Sequence, residues 1–321
     1  MTAALPADPD RPEILLTGAY PAWDMEPLAA SYRLHRLWEA ADRAALLAEH
    51  GGRIRAIATR GDLGASAELI AALPKLELIA CYGVGTDAID VGAAQARGIA
   101  VTNTPDVLTG DVADLAVGLA LALLRRIPAA DAHVRSGVWA TRGFELATRL
   151  HGKRAGIVGM GRIGGAVARR LAGFDMPIGY FSRNPVAGSE HTHFSSVAEL
   201  AGWCDVLVVT LAGGPGTLAM IDAEVLAALG PAGWLVNVSR GSTVDEAALL
   251  TALETKAIAG AGLDVFLNEP RIDPRFLTLP NVVLQPHSAS GTLETRKAMG
   301  QLVRDNLAAH FSGAPLLTPL A

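Results

Sequence analysis

Short apolar runs and segments of helical periodicity alternate along the whole chain. In the first third, β-type runs fall at residues 13–17 (EILLT), 33–38, 54–59 (IRAIAT), 76–81 (LELIAC) and 99–102, with helical patterns at 41–49 and 67–73. Further on they fall at 177–181, 205–211 (DVLVVTL), 234–238, 259–264 and 282–285, with helical patterns at 222–229 and 245–254. Strands of nearly continuous apolar character, alternating with helices, predict parallel sheets wound by crossover helices. Two helical patterns stand apart. Residues 109–126 are small or aliphatic on almost every side, so that segment must be buried inside one subunit or between two. Residues 292–311 form a last helix with enough length to return to the first sheet.

Composition narrows the class. At 321 residues, half of them hydrophobic and 18% charged, the chain is an α/β protein with large aliphatic cores, and its length favours two domains. A formal charge of −5 provides no basic surface for nucleic acid. The pairs Arg125-Arg126 and Arg169-Arg170 sit within helical patterns and read as solvated faces. The longest aliphatic run, 113–124, contains Asp114 and is too short to cross a bilayer, so no membrane partner is expected. Residues 1–12 are rich in Pro and Asp and show no apolar core of a signal peptide. Cys81 and Cys204 lie in or beside apolar runs without metal-ligand spacing. No metal site is expected, and a reducing cytoplasm is the expected location.

The candidate chemistry begins at residues 154–165, RAGIVGMGRIGG. A short apolar run ends in G-x-G-x-x-G and continues with helical composition, the context a dinucleotide-binding turn requires. Gly159 permits the sharp turn, Gly161 lets the backbone approach a pyrophosphate, and Gly164 allows close helix–strand packing. Arg162 and Ile163 open the helix whose unpaired N–H groups face the phosphates. About 20 residues on, where an NAD site places a carboxylate for the ribose hydroxyls, the chain has Ser182, Arg183 and Asn184. A carboxylate there would repel a 2′-phosphate, whereas a guanidinium pairs with one. NADP(H) is therefore the preferred cofactor expected, with NAD(H) possible; the plainer reading of Arg183 is an exposed loop charge.

Three more segments each follow an expected strand: Asn237 to Gly241 (NVSRG), Leu263 to Pro270 (LDVFLNEP) and Gln285 to Ser290 (QPHSAS). Together they supply a cation, two carboxylates and an imidazole at one sheet edge. Reduction of a 2-oxo acid needs such a set. A guanidinium holds the substrate carboxylate in a planar fork, and an imidazolium protonates the carbonyl oxygen as hydride arrives. A carboxylate on the far imidazole nitrogen fixes the tautomer. Taken singly these residues are weak signals, because a lone His after a strand is more often structural. The segment YGVGTD at 82–87 also follows a strand, either as a ligand loop or as an ordinary glycine turn.

These segments, with NTPDVLTGDVADLAVGLALALLRR and PHSASGTLETR, resemble the D-2-hydroxyacid dehydrogenase family, and most closely its NADP-dependent glyoxylate/hydroxypyruvate reductases. The resemblance runs from about residue 76 to the C-terminus. It implies a Rossmann nucleotide domain, residues 104–288, inserted in a flavodoxin-like substrate domain made of residues 1–103 plus 289–321. It assigns Arg240 to the substrate carboxylate and carbonyl oxygen, His287 to acid/base work and Glu269 to orienting His287. It gives the N–H groups of Val84 and Gly85 to the substrate carboxylate, with Ser290 also on the substrate side. Asp264 would bond the nicotinamide carboxamide, and Thr109 and Val238 would contact the cofactor. Trp139 stands where related reductases carry a Trp that reaches the partner subunit's active site. A homodimer through the 109–126 region is implied, which accounts for that helix's composition. After the His the family usually has Ile-Gly-Ser, and here it is Ser288-Ala289-Ser290, which alters pocket polarity. Other readings on the same fold are a reductase of a bulkier 2-oxo acid, such as 2-ketogluconate or an aryl pyruvate, and a non-enzymatic nucleotide-sensing corepressor.

Overall fold

The computed structural model describes residues 11–320, so most of the 1–12 stretch read for a leader lies outside the described residues. The chain divides into two compact units. One runs to Leu108 and resumes at Thr292; the other is Thr109–Gly291.

The first unit holds five strands: β1 (Glu13–Leu16), β2 (Arg33–Arg36), β3 (Ile54–Arg60), β4 (Leu78–Tyr82) and β5 (Ala100–Thr102). They lie in the order β2-β1-β3-β4-β5, every pairing parallel, which is the flavodoxin-like arrangement. β1 and β4 are buried along their whole length because helices cover both faces. One face packs Leu15, Ile57, Ile79 and Val101 against Ile70, Leu73 and Ile89. The last helix, Leu293–Ser312, belongs to this unit and lies on β4; Tyr82 donates its hydroxyl proton to the carbonyl of Arg296 at 2.6 Å.

The second unit holds seven parallel strands: β6 (Ala155–Val158), β7 (Ile178–Phe181), β8 (Thr192–His193), β9 (Val206–Val209), β10 (Trp234–Asn237), β11 (Gly260–Leu263) and β12 (Val282–Leu284). Their order is β12-β11-β10-β9-β6-β7-β8. The direction of winding reverses between β6 and β9, and ligands of doubly wound sheets sit beyond the strand carboxyl ends at that switch point. The core beneath it packs Val158, Leu207, Val209, Leu235 and Leu263 against Leu200, Leu226, Leu249 and Leu253.

The break between units falls at 108/109 rather than 103/104 for a visible reason. Residues 104–108 stay with the first unit: the Thr104 N–H bonds the Gly83 carbonyl at 2.9 Å, and the Val107 carbonyl accepts from Thr295 Oγ1 at 3.3 Å. Residues 289–291 stay with the second, where the Ala289 N–H bonds Asp264 and the Gly291 N–H bonds the Ser288 carbonyl.

The apolar helix is Thr109–Leu124. Its own unit buries Val112, Ala113, Ala116, Val117, Leu119, Ala120, Leu123 and Leu124 against the helix Arg162–Ala172 and strands β10 to β12. Packing inside its own unit thus buries eight of its sixteen residues. It stops short of Arg126, whose φ of +54° turns the chain, and a separate helix Ile127–Arg135 begins with Pro128 in its first turn. That helix, along with Ala22–Ser31, Val91–Ala96 and Val197–Trp203, was not marked in the pattern. Ala22–Ser31 carries an internal Pro27, and the others are short.

Candidate active site

The glycine turn joins β6 to the helix Arg162–Ala172. Gly159 has φ +100°, a conformation that β-carbons disfavour. A β-carbon at Gly164 would stand 2.1 Å from the Gly159 carbonyl oxygen, so the helix packs against the turn only because that residue is glycine. Gly161 differs: nothing lies within 4 Å of where its β-carbon would be. The turn thus leaves an open face beside a helix N-terminus, which is what a pyrophosphate needs. Arg162 and Ile163 begin the helix there. The turn has a brace that the pattern did not mark: Thr210 Oγ1 donates to the Gly159 carbonyl at 2.7 Å.

The catalytic candidates follow β10, β11 and β12, the strands on one side of the switch point. After β10, Asn237 anchors the Arg240 loop. Its Nδ2 donates to the Arg240 carbonyl at 3.0 Å, and its Oδ1 accepts from both the N–H and the hydroxyl of Ser239 at 3.0 Å. Thr243 Oγ1 donates to the same Arg240 carbonyl at 2.7 Å. A β-carbon at Gly241 would meet the Phe266 carbonyl at about 2 Å, so the loop after β10 lies directly on the loop after β11. The guanidinium of Arg240 is half-buried and donates to the Ser239 carbonyl at 2.8 Å.

Glu269 and His287, 18 residues apart, meet: Glu269 Oε2 lies 2.6 Å from His287 Nδ1. The other Glu269 oxygen accepts the Phe266 N–H at 2.8 Å. Burial alone would push the Glu269 carboxyl up, but the His287 bond, the Phe266 N–H and the charges of His287 and Arg240 outweigh it, and the group sits below the ordinary carboxylate range. The imidazole side chain remains 40% exposed, with Nε2 free of any partner among the described residues.

His287 has φ +51°, unusual for a side chain with a β-carbon. Asp264 holds it there. The Asp264 carbonyl accepts the His287 N–H at 2.8 Å, Oδ1 accepts the Ser288 N–H at 2.7 Å, and Oδ2 accepts the Ala289 N–H at 3.0 Å. Asp264 is 1% exposed, and burial raises its carboxyl above the ordinary value despite those two N–H bonds. Ser288 donates its hydroxyl proton to Gln285 Oε1 at 3.2 Å, and Ser290 is half-buried.

The glycine turn and this imidazole–carboxylate pair stand on one parallel sheet. The model of the D-isomer specific 2-hydroxyacid dehydrogenase NAD-binding domain matches residues 117–289. The hydroxyphenylpyruvate reductase of Plectranthus scutellarioides is 50% identical over 295 residues, 92% of this chain and 94% of that protein. The 2-ketogluconate reductase of Gluconobacter oxydans is 51% identical over 269 residues, 83% of this chain and 86% of that protein. An NADPH-dependent glyoxylate/hydroxypyruvate reductase of Sinorhizobium meliloti, solved with NADP and malonate, superposes with a TM-score of 0.92 at 47% identity, covering 97% of both chains.

The chain belongs to the D-isomer specific 2-hydroxyacid dehydrogenase family. It is an oxidoreductase with a dinucleotide-binding Rossmann domain, and its relatives support reduction of 2-oxo acids.

Other positions marked in this dehydrogenase's sequence are distributed as follows. Val238 is buried directly after β10 and Thr109 begins the apolar helix, both in the nucleotide unit. Ser182, Arg183 and Asn184 form the turn after β7; the Ser182 hydroxyl donates to the Asn184 carbonyl at 2.7 Å, while Arg183 is exposed and makes no hydrogen bond or ion pair among the described residues. Val84 and Gly85 lie after β4 in the first unit, and their N–H groups likewise have no partner among the described residues. Asn103 Nδ2 holds that loop through the Val84 carbonyl at 2.9 Å. Trp139 lies on the short turn Val138–Ala140 and is 64% exposed.

Proposed function

We propose that this enzyme reduces a small 2-oxo acid, glyoxylate or hydroxypyruvate, to the D-2-hydroxy acid using NADPH. The 2.6 Å bond between Glu269 Oε2 and His287 Nδ1 carries the reading. It ties down one imidazole nitrogen and leaves the other as a proton donor. Bound NADPH supplies the hydride. Gly159, Gly161, Arg162 and Ile163 would hold its pyrophosphate, with Gly164 letting the helix close on the turn; Arg183 would pair with its 2′-phosphate, and Thr109, Val238 and Asp264 would contact the rest. Arg240 orients the substrate through its carboxylate and carbonyl oxygen, and the N–H groups of Val84 and Gly85 hold the carboxylate. His287 Nε2 delivers a proton to the carbonyl oxygen as that oxygen gains charge. Glu269 stabilises the imidazolium and keeps its plane fixed.

The preference for NADPH rests on the exposed Arg183 where an NAD site has a carboxylate, and on the Sinorhizobium meliloti relative named NADPH-dependent. A second reading, reduction of a bulkier 2-oxo acid, is favoured by the relatives named for hydroxyphenylpyruvate and 2-ketogluconate. Rates of NADPH oxidation with glyoxylate, hydroxypyruvate, pyruvate, 4-hydroxyphenylpyruvate and 2-ketogluconate separate the two. The first reading expects the highest kcat/KM on glyoxylate or hydroxypyruvate. An aryl pyruvate or sugar acid turned over tenfold better would establish the second.

A homodimer through the region of the apolar helix at 109–126 is part of the proposal. Ile127, Val134, Val138, Trp139 and Leu146 are exposed apolar side chains concentrated in residues 127–146, just after the apolar helix, and a second copy would cover them. Sedimentation at micromolar concentration should give twice the 33.3 kDa chain mass. A cytoplasmic setting fits two free, buried cysteines, and no helix among the described residues is long and apolar enough to cross a membrane.

A further inference from the structure

The turn after β7 is held by two side chains with no place in the scheme above. Tyr180 and His193 are direct register partners on β7 and β8. Their rings pack edge to face with centroids 5.2 Å apart, and Tyr180 is 1% exposed. Each fastens one side of the turn. Tyr180 Oη accepts the Val186 N–H at 2.9 Å, and His193 Nε2 lies 3.1 Å from the Ser182 carbonyl oxygen. A carbonyl only accepts, so Nε2 carries the hydrogen and donates. The third bond, from the Ser182 hydroxyl to the Asn184 carbonyl, closes the turn on itself. That hydroxyl proton is already engaged, so Arg183 is the cation left to read a 2′-phosphate. It is an exposed side chain with many rotamers, on a turn that leaves the sheet at β7. A long flexible side chain binds an anion well only if its backbone is fixed beforehand, because every freely moving bond must be ordered on binding.

We propose that His193, backed by Tyr180, is a positioning residue for cofactor choice: it fixes the Ser182–Asn184 turn so that Arg183 is presented to the 2′-phosphate of NADPH. The proposal rests on the NADPH reading above. His193 touches no reacting atom, and NADH has no phosphate at the 2′ position, so loss of the brace acts on one cofactor and spares the other. A single hydrogen bond to a backbone carbonyl of this kind changes binding by roughly three- to tenfold.

The experiment measures KM and kcat with NADPH and with NADH, side by side, for the wild type, His193→Ala, His193→Gln, Tyr180→Phe, Arg183→Ala and the double variant Arg183→Ala/His193→Ala. His193→Ala should raise KM for NADPH about three- to tenfold while KM for NADH and both kcat values stay within twofold. His193→Gln keeps a donor and should recover part of the loss. In the Arg183→Ala background, removing His193 should have no further effect on NADPH. Equal changes for NADPH and NADH, or an undiminished His193 effect without Arg183, would overturn the proposal and make His193 an ordinary structural residue. If Arg183→Ala itself leaves the NADPH KM unchanged, the NADPH reading fails first. If Arg183→Ala raises it and His193→Ala does not, only the positioning role fails. NADH turnover in each variant reports that the chain is folded.

Discussion

Glu269 Oε2 and His287 Nδ1 stand 2.6 Å apart, joining the loop after β11 to the loop after β12. The Phe266 N–H fixes the far side of the same carboxylate, and Asp264 fixes the backbone that carries the imidazole. Two acids with opposite shifts thus surround one histidine. Glu269 is kept ionised, and buried Asp264 is pushed up.

The first expected outcome concerns pH. Reduction consumes a proton held on His287, and oxidation needs the neutral ring, so reductive kcat/KM falls on the alkaline side and oxidative kcat/KM rises there. Although burial would raise it, the Glu269 carboxyl is lowered by the His287 bond and the Phe266 N–H, so its protonation should cost rate only at a lower pH than an ordinary carboxyl would. Profiles between about pH 5 and about pH 9 check both limbs. His287→Asn should remove the alkaline limb and lower kcat by about 10² to 10⁴-fold; an unchanged profile in that variant contradicts the assignment.

Arg240→Lys keeps the charge and removes the planar fork. The expected loss is on the order of 10²-fold in kcat/KM for the 2-oxo acid, about 2–3 kcal/mol. Steady-state kinetics with unchanged thermal stability would show that the loss lies in substrate handling.

Two glycines in one turn should behave differently. At Gly161 a β-carbon meets nothing in the chain, so Gly161→Ala should melt within about 1 kcal/mol of the wild type while the dinucleotide binds at least tenfold more weakly. At Gly164 the β-carbon collides with the Gly159 carbonyl, so Gly164→Ala should lower both stability and affinity. Calorimetry alongside dinucleotide titration distinguishes the two.

Within the first unit, Glu13 on β1 accepts from Arg53 Nε at 2.9 Å and bonds His35 Nε2 at 2.7 Å. Burial would raise the Glu13 carboxyl, but the bonds to His35 and Arg53 prevail and lower it; burial, the largest influence on His35, lowers that imidazole. Both signs agree. A lowered folded-state value means stability that is present at neutral pH and lost as pH falls through it. Glu13→Gln should cost about 1–2 kcal/mol at neutral pH, because an amide group replaces one of the two oxygens that accept from buried His35 and from Arg53. The gap in Tm should close once acid protonates the wild-type carboxylate, and melts across an acid series test it.

Much of this protein was legible in one dimension. Apolar runs alternating with helical periodicity state which residues must leave water, so eleven of the twelve strands, the glycine turn and the residues that follow β10, β11 and β12 can all be placed from the sequence. What stayed hidden depends on contacts between distant strands. β8 is two residues long, too short for a periodic signal, yet its register sets His193 beside Tyr180. Asp264 carries the marks of a cofactor ligand in sequence, and only the folded loop shows both its oxygens bonded to the backbone after His287. The apolar helix Thr109–Leu124 could be assigned to burial but not to its neighbours, which turn out to be in its own unit. Hydrophobic pattern is local and survives in the sequence; hydrogen-bond partnership is set by register and loop geometry, which exist only once the sheet has formed.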